Sequence, residues 1–240
     1  MYDLTILEKG CHELGISLDE KQKQQFIQYY ELLIEWNKVM NLTGITEFPE
    51  VLQKHFLDSL AVSKAVNLTE TQRMIDVGTG AGFPGIPLKI AFPHLKVTLL
   101  DSLQKRIRFL GEVIKTLGLT EMTALHGRAE EYARRKEYRE VYDICVSRAV
   151  ANLATLSEYC LPYVKVNGCF ISYKSGKVKD EVKDAEKAAE ILGGKTKDVL
   201  YFHLPGSEIE RSLVIIEKEK TTPKKYPRKA GTPAKEPLHN

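Results

Sequence analysis

Apolar residues recur at helical spacing through the first part of the chain and in short strand-like runs beyond it, so the hydrophobic pattern changes period near Arg73. Ser17-Leu18-Asp19-Glu20 reads as a capping box. Phe26, Tyr30, Leu33 and Met40 follow it on one face of a long helix, with Trp36 and Asn37 at its edge, until Asn41-Leu42-Thr43-Gly44 stops it. A second helix over 47–64 carries Phe48, Val51, Leu52, Phe56 and Leu60 on its apolar side. Beyond Arg73, apolar runs near 73–77, 96–100, 121–126, 141–146, 168–174, 197–203 and 211–218 have helical stretches between most of them, which predicts a doubly wound parallel sheet. Only about eight residues separate the last two runs, too few for a parallel crossover, so the last strand is expected to be antiparallel. The pattern divides the chain into a helical cap (1–66), a seven-stranded α/β domain (67–220) and a terminal segment (221–240).

The first strand of the sheet ends in Met74-Ile75-Asp76-Val77-Gly78-Thr79-Gly80-Ala81-Gly82-Phe83-Pro84-Gly85. Glycines at alternate positions after a strand make a turn against which a nucleotide-like ligand can lie, because a residue without Cβ lets the backbone approach that closely. Gly80 and Gly82 are both expected to border the ligand's volume. Two fingerprints overlap here: Gly80, Gly82 and Gly85 fit the G-x-G-x-x-G of dinucleotide folds, and Asp76 with Gly78, Gly80 and Gly82 fits the D-x-G-x-G-x-G of methyltransferases that use S-adenosylmethionine (AdoMet). A carboxylate two residues before the first glycine opposes a pyrophosphate and suits a sulfonium and an ammonium, so Asp76 favours AdoMet. The second strand ends at Asp101, 19 positions after Gly82, where an acid can hold ribose hydroxyls or cap the helix that begins near Leu103. Together with a reversed last strand, these features describe a class I (Rossmann-like) AdoMet-dependent methyltransferase preceded by a helical cap.

Ligands of such sheets bind at the carboxyl ends of the strands. The third strand leads into Arg128-Ala129-Glu130, where Ala129 and Glu130 can flank an adenine, or Glu130 simply opens the next helix. The fourth leads into Ser147-Arg148-Ala149-Val150, which makes Ser147 and Arg148 candidates for facing the transferred methyl and its acceptor. Arg148 can bond the target base or the AdoMet carboxylate, or pair with Glu130 or Asp143. No Asn/Asp-Pro-Pro-aromatic motif of adenine amino methylation occurs there, and Cys145 lies inside a strand, where a neutral thiol is expected in place of a pyrimidine-C5 nucleophile. What remains is an acceptor that needs no deprotonation, such as a ring nitrogen with a free lone pair, for which alignment supplies most of the catalysis.

Composition adds little until charge is divided. From Thr221 onward there are five basic residues and one acid, whereas the rest of the chain carries 30 basic and 31 acidic residues. This Pro-rich basic tail is expected to form no regular element, to stay extended and to suit a polyanion. Two further basic clusters, Lys105-Arg106 with Arg108 and Arg134-Arg135-Lys136 with Arg139, are either solvated faces or part of the same phosphate-binding surface. Cys11, Cys145, Cys160 and Cys169 show no paired spacing, so neither a metal site nor a disulfide framework is indicated. No stretch reads as a membrane span or secretory signal, and a cytoplasmic protein without membrane contact, monomeric for want of a long apolar stripe, is expected.

Trp36-Asn37 with Asn41-Leu42-Thr43, His55-Phe56-Leu57-Asp58-Ser59, the run from Asp76 to Pro87, Asp101-Ser102 with Lys105-Arg106, Arg128-Ala129-Glu130, Ser147-Arg148-Ala149 and Arg228-Lys229-Ala230-Gly231-Thr232-Pro233 together resemble the RsmG (GidB) family over nearly the whole chain. The resemblance implies methyl transfer from AdoMet to N7 of guanine 527 in the 530 loop of bacterial 16S ribosomal RNA, within the small subunit or a precursor. It also implies that Gly78, Phe83, Ala129, Glu130 and Arg148 contact AdoMet. His55 and Asp58, three apart on a helix, are expected to pair and lock the cap onto the sheet. The alternatives are a non-enzymatic NAD- or FAD-binding regulator and a methyltransferase acting on another RNA.

Overall fold

The computed structural model describes residues 2–70 and 72–238. Seven strands form one sheet in the order β3-β2-β1-β4-β5-β7-β6. They are β1 (Arg73–Val77), β2 (Lys96–Asp101), β3 (Met122–His126), β4 (Tyr142–Arg148), β5 (Val164–Ser175), β6 (Gly194–His203) and β7 (Glu210–Lys218). The first five pair in parallel, and β7 runs antiparallel to both β5 and β6, as the short connection before it requires. This is the sheet of a class I methyltransferase.

Both faces of the sheet are covered, so its strands read as near-continuous apolar runs. Met74, Leu99, Ile144, Val146, Ile171 and Leu213 point into one core, shared with the N-terminal helices. Ile75, Leu100, Cys145, Phe170 and Val214, one position along each strand, point into the other. Asp76 shares the face of Met74 and therefore looks toward the helical cap. Around the sheet lie α5 (Gly85–Ala91), α6 (Gln104–Thr116), α7 (Ala129–Tyr132), α8 (Leu153–Cys160) and α9 (Lys179–Ile191).

The cap differs from expectation in three ways. It has an additional first helix, α1 (Thr5–Glu13), whose Leu7 and Cys11 are buried; Gly10 lets it approach, since a Cβ there would lie 2.4 Å from Leu57 Cδ1. The capping box of α2 (Glu20–Met40) is made by Asp19 and Gln22, each side chain bonding the other's backbone N–H, and not by Ser17 and Glu20. The run over 47–64 is not one regular helix: α3 (Phe48–Val51) passes into a π-helical turn (Leu52–Leu57), α4 (Asp58–Leu60) and a 3-10 turn (Ala61–Lys64). Its apolar side is placed as expected, with Val51, Leu52, Phe56 and Leu60 fully buried. Helix α2 fastens the cap to the sheet layer: Gln22 Nε2 donates to the Ile90 carbonyl at 2.8 Å and Gln25 Nε2 to the Leu117 carbonyl at 2.8 Å, covering the ends of α5 and α6.

The C-terminal segment is neither extended nor free of regular structure. Pro233 sits in the first turn of a short helix, α10 (Thr232–Lys235), and Tyr226 and Pro233 are buried. Arg139 donates to the carbonyls of Thr222 and Tyr226, and Arg134 to that of Pro227, so two arginines of a cluster read as either a solvated face or a phosphate-binding surface hold the segment instead. Among the described residues no helix is long and apolar enough to cross a membrane.

Candidate active site

The turn after β1 is pinned to the end of β2. Gly78 and Thr79 both donate to the Leu100 carbonyl, at 2.8 and 3.2 Å, and Gly80 N donates to Asp101 Oδ2 at 2.9 Å. Gly78 (φ +75°), Gly80 (φ +62°) and Gly82 (φ +98°) are all in the left-handed region, but they do different work. A Cβ on Gly80 would meet nothing within 4 Å. One on Gly82 would strike Ile86 Cδ1 at 2.4 Å and the Tyr29 hydroxyl at 2.8 Å, so Gly82 borders the protein core and not a ligand. The Tyr29 hydroxyl, on α2, donates to the Ala81 carbonyl at 2.5 Å and thus holds the turn from the cap side.

Asp76 does not face the ligand side. It is fully buried beneath the turn, where its Oδ2 accepts from Thr79 Oγ1 at 2.6 Å and Gly85 N at 2.8 Å while Oδ1 has no partner among the described residues. Burial raises its carboxyl pKa to about 7 against the lowering effect of those two hydrogen bonds. Its hydrogen bonds therefore support the turn, and a carboxyl that burial keeps protonated toward neutral pH has little charge with which to select a cofactor.

Beside the turn lies an open cavity of about 260 Å³, lined by Val77, Gly78, Leu100, Asp101, Glu130 and Tyr159 among others. Apolar walls with two carboxylates suit a nucleoside, whose faces are apolar and whose ribose and exocyclic amine are hydrogen-bond donors. Asp101 is not the N-cap of α6; Leu103 is, and Asp101 Oδ1 accepts from its amide at 2.9 Å. Its Oδ2 also receives Arg106 Nη1 at 3.1 Å. Ala129 and Glu130 form the far wall, and Glu130 opens α7 as the alternative reading held. Gly78, Asp101, Ala129 and Glu130 are thus brought together, with Gly80 at the adjoining turn.

A second cavity of about 400 Å³ adjoins the first at Ala149 and is lined by Lys54, His55, Asp58, Arg148, Tyr173, Lys174 and Arg211. Arg148 lies here and pairs with neither Glu130 nor Asp143: its Nη1 donates to Asp58 Oδ2 at 2.7 Å, and its guanidinium lies 5.1 Å from the Phe83 ring centre. Arg211 Nε takes the other Asp58 oxygen at 2.9 Å. With both oxygens of Asp58 claimed by guanidiniums, the expected pair with His55 does not form. His55 Nε2 instead lies 2.7 Å from Thr43 Oγ1, and its ring stacks on Phe83 with centroids 4.5 Å apart. Burial, and then Arg148, lowers the His55 pKa to about 4. Phe83 is only 6% exposed and stands under the cap, outside the first cavity.

Ser147 does not present its hydroxyl to either cavity. It is fully buried and donates to the Val77 carbonyl at 2.8 Å, tying β4 to β1. Arg148, by contrast, is placed by the strand order: Arg148 is in register with Tyr173, and Ser175 with Arg211, so the carboxyl ends of β4 and β5 and the amino end of β7 share one edge. Sequence reasoning missed Arg211 and Lys174 for that reason, although a reversed last strand already implies that its first residues lie at the ligand edge. Cys145 is fully buried and its thiol pKa is pushed well up by burial, which leaves it no nucleophilic role at neutral pH.

A family model described as rRNA small subunit methyltransferase G (GidB) matches residues 22–214. The ribosomal RNA small subunit methyltransferase G of Lachnoclostridium phytofermentans is 56% identical over 99% of this chain and 98% of its own length. The enzyme of the same description from Alkaliphilus metalliredigens is 54% identical over 99% of this chain and 100% of its own. Among solved structures, a mutant form of MtNAS superposes with a TM-score of 0.55 at 15% identity, covering 90% of this chain and 86% of that one. A protein from Agrobacterium tumefaciens described as a predicted O-methyltransferase gives 0.52 at 18% identity, covering 69% and 80%. Likeness at this identity concerns the fold alone.

Proposed function

The chain belongs to the rRNA small subunit methyltransferase G family, and on that premise we propose that it moves a methyl group from AdoMet to N7 of guanine 527 in 16S ribosomal RNA. The observation that carries this reading is the pair of adjoining cavities meeting at Ala149, one shaped for a nucleoside and the other edged by Arg148, Arg211, Lys54 and Lys174. AdoMet, when bound, supplies an electrophilic methyl on a sulfonium, and its transfer leaves the neutral thioether.

In this reading Gly78, Gly80, Asp101, Ala129 and Glu130 hold the adenosine. The left-handed Ala149 (φ +56°) lets β4 break off at the boundary of the two cavities, so Arg148 stays on the acceptor side. Guanine N7 attacks with its own lone pair, and no proton has to leave the reacting atom. No general base is needed at the methyl, which agrees with the committed hydroxyl of Ser147 and the depressed basicity of His55. The work of Arg148 is alignment: Asp58 and Phe83 fix its guanidinium, whose remaining N–H groups can bond an acceptor of the base or its phosphate. The basic lining of the second cavity supports a polyanionic substrate such as 16S rRNA within the small subunit or a precursor.

Calorimetry with AdoMet and NAD, followed by incubation with methyl-labelled AdoMet and small subunits lacking the modification, tests the reading. Binding of AdoMet but not NAD, and label entering 16S rRNA, are expected. Binding of NAD alone would restore the dinucleotide-regulator alternative, and label in another RNA would move the activity there.

A further inference from the structure

The C-terminal segment reaches the first cavity from behind. Glu130, 4% exposed, accepts the Gly231 amide on Oε1 at 2.8 Å, and among the described residues its Oε2 has no hydrogen-bond partner. On α8, Glu158 has no exposure and takes Arg228 through the amide at 2.6 Å, through Nε at 3.0 Å on both oxygens and through Nη2 at 2.7 Å. The next residue, Tyr159, lines the cavity. One turn earlier on the same helix, Thr155 Oγ1 donates to the Pro233 carbonyl at 3.1 Å. Arg228 Nη2 also donates to the Glu236 carbonyl at 2.7 Å, closing the segment on itself.

We propose that residues 226–236 are a built part of the cofactor site, a clasp that holds Glu130 with one oxygen turned to the adenosine. The proposal rests on the reading of the first cavity as the AdoMet site. A buried carboxylate stripped of its guanidinium is strongly unfavourable, so the pair of Glu158 with Arg228 keeps the clasp docked and does not leave it a transient contact. Docked, it spends one Glu130 oxygen on Gly231 and limits the rotamers of the other, which preorganises an acceptor for an N–H or O–H donor of a purine nucleoside. Arg228 is in this sense a positioning residue, acting through Glu158 and α8, and Gly231 acts through Glu130 directly. Gly231 offers that amide from the left-handed region (φ +84°), a conformation that a β-branched side chain resists.

The test uses the full chain and two ligands, AdoMet and 5′-methylthioadenosine, which shares only the adenosine end, with calorimetry and a melting curve on each variant. Arg228→Ala is expected to weaken both ligands at least tenfold and by the same factor, and Arg228→Lys to recover part of the loss. If Arg228→Ala does not fold, Gly231→Val, which keeps Glu158 paired with Arg228 and has open space for its side chain, is expected to show the same matched loss. Folded variants that bind both ligands as the unaltered protein does would overturn the clasp while leaving the cavity assignment standing. So would a loss confined to AdoMet with 5′-methylthioadenosine unaffected. Failure of the unaltered protein to bind either ligand would overturn the cavity reading and the clasp with it.

Discussion

Arg148 at the end of β4 and Asp58 in the cap meet at 2.7 Å, so among the described residues the carboxylate that fixes this guanidinium comes from the helices and not from the sheet. The same carboxylate holds Arg211, which makes the cap a structural member of the second cavity. Asp58→Ala would leave two guanidiniums facing each other without a counter-charge and is expected to cost about 3 kcal/mol in unfolding free energy. Arg148→Ala leaves Asp58 still paired with Arg211 and should cost clearly less, while methyl transfer to RNA falls by roughly two orders of magnitude, as expected for a lost alignment group. Urea unfolding and single-turnover kinetics on the two variants check both halves. A stability loss in Arg148→Ala equal to that in Asp58→Ala would reduce Arg148 to a tether.

Gly80 of the β1 turn faces open space and Gly82 the packed core, contrary to the expectation that the two act alike. Gly80→Val should fold, at a strain of about 1–2 kcal/mol, and lose AdoMet binding. Gly82→Val should lose about 3 kcal/mol or more of stability, because its side chain collides with Ile86 and Tyr29 in a packed core. Melting curves with calorimetry distinguish them. A Gly82→Val protein as stable as Gly80→Val would contradict the placement.

Two buried groups give opposite pH dependences. Asp76, held at about 7 against 3.8 in an unfolded chain, keeps a proton between those values that the unfolded state has lost, so its contribution to stability falls as pH rises through that window. His55, lowered from 6.5 to about 4, stays neutral where the unfolded state is protonated, so its contribution rises with pH between those values. The two slopes oppose one another up to about pH 6.5. Asp76→Asn removes the falling one, and stability measured by urea midpoint from pH 4.5 to 6.5 should climb more steeply than in the unaltered protein, by about 1.4 kcal/mol per pH unit. Parallel curves for the two proteins would show that Asp76 is not protonated in the folded state.

Cys145→Ser should keep most methyl-transfer activity, since attack by a ring nitrogen forms no thiol adduct and the thiol is buried. A stable, AdoMet-binding but inactive Cys145→Ser protein would point to a covalent mechanism instead.

The exposed lysines of the docked segment, Lys224, Lys225, Lys229 and Lys235, still offer charge to RNA, whereas Arg228 is committed to Glu158. Changing all four to Gln should leave AdoMet affinity unaltered and make the slope of log RNA affinity against log salt shallower by up to about three units. An unchanged slope would assign phosphate contacts to Lys105, Arg108 and the second cavity.

Much of the sheet was legible because strands buried on both faces leave continuous apolar runs, and because the short connection before β7 permits only an antiparallel pair. The glycine turn and Asp101 were legible for a similar local reason. What escaped the sequence depends on neighbours far apart in the chain. Tyr29 looks like one more apolar-face residue of α2 until its hydroxyl is seen on the Ala81 carbonyl. Asp58 looks like a helical partner for His55 until the strand order sets Arg148 and Arg211 beside it. The tail looked like a free polybasic arm because composition counts charges and does not show that Glu158 is buried beneath Arg228.

The atom methylated separates N7 transfer from every alternative. Small subunits lacking the modification, incubated with the enzyme and methyl-labelled AdoMet and then subjected to strand cleavage specific for N7-methylguanine, should give one new cleavage at guanine 527 of 16S rRNA, stoichiometric with incorporated label. Label that enters the RNA without producing that cleavage, or a cleavage at another nucleotide, would rule out methyl transfer to N7 of guanine 527.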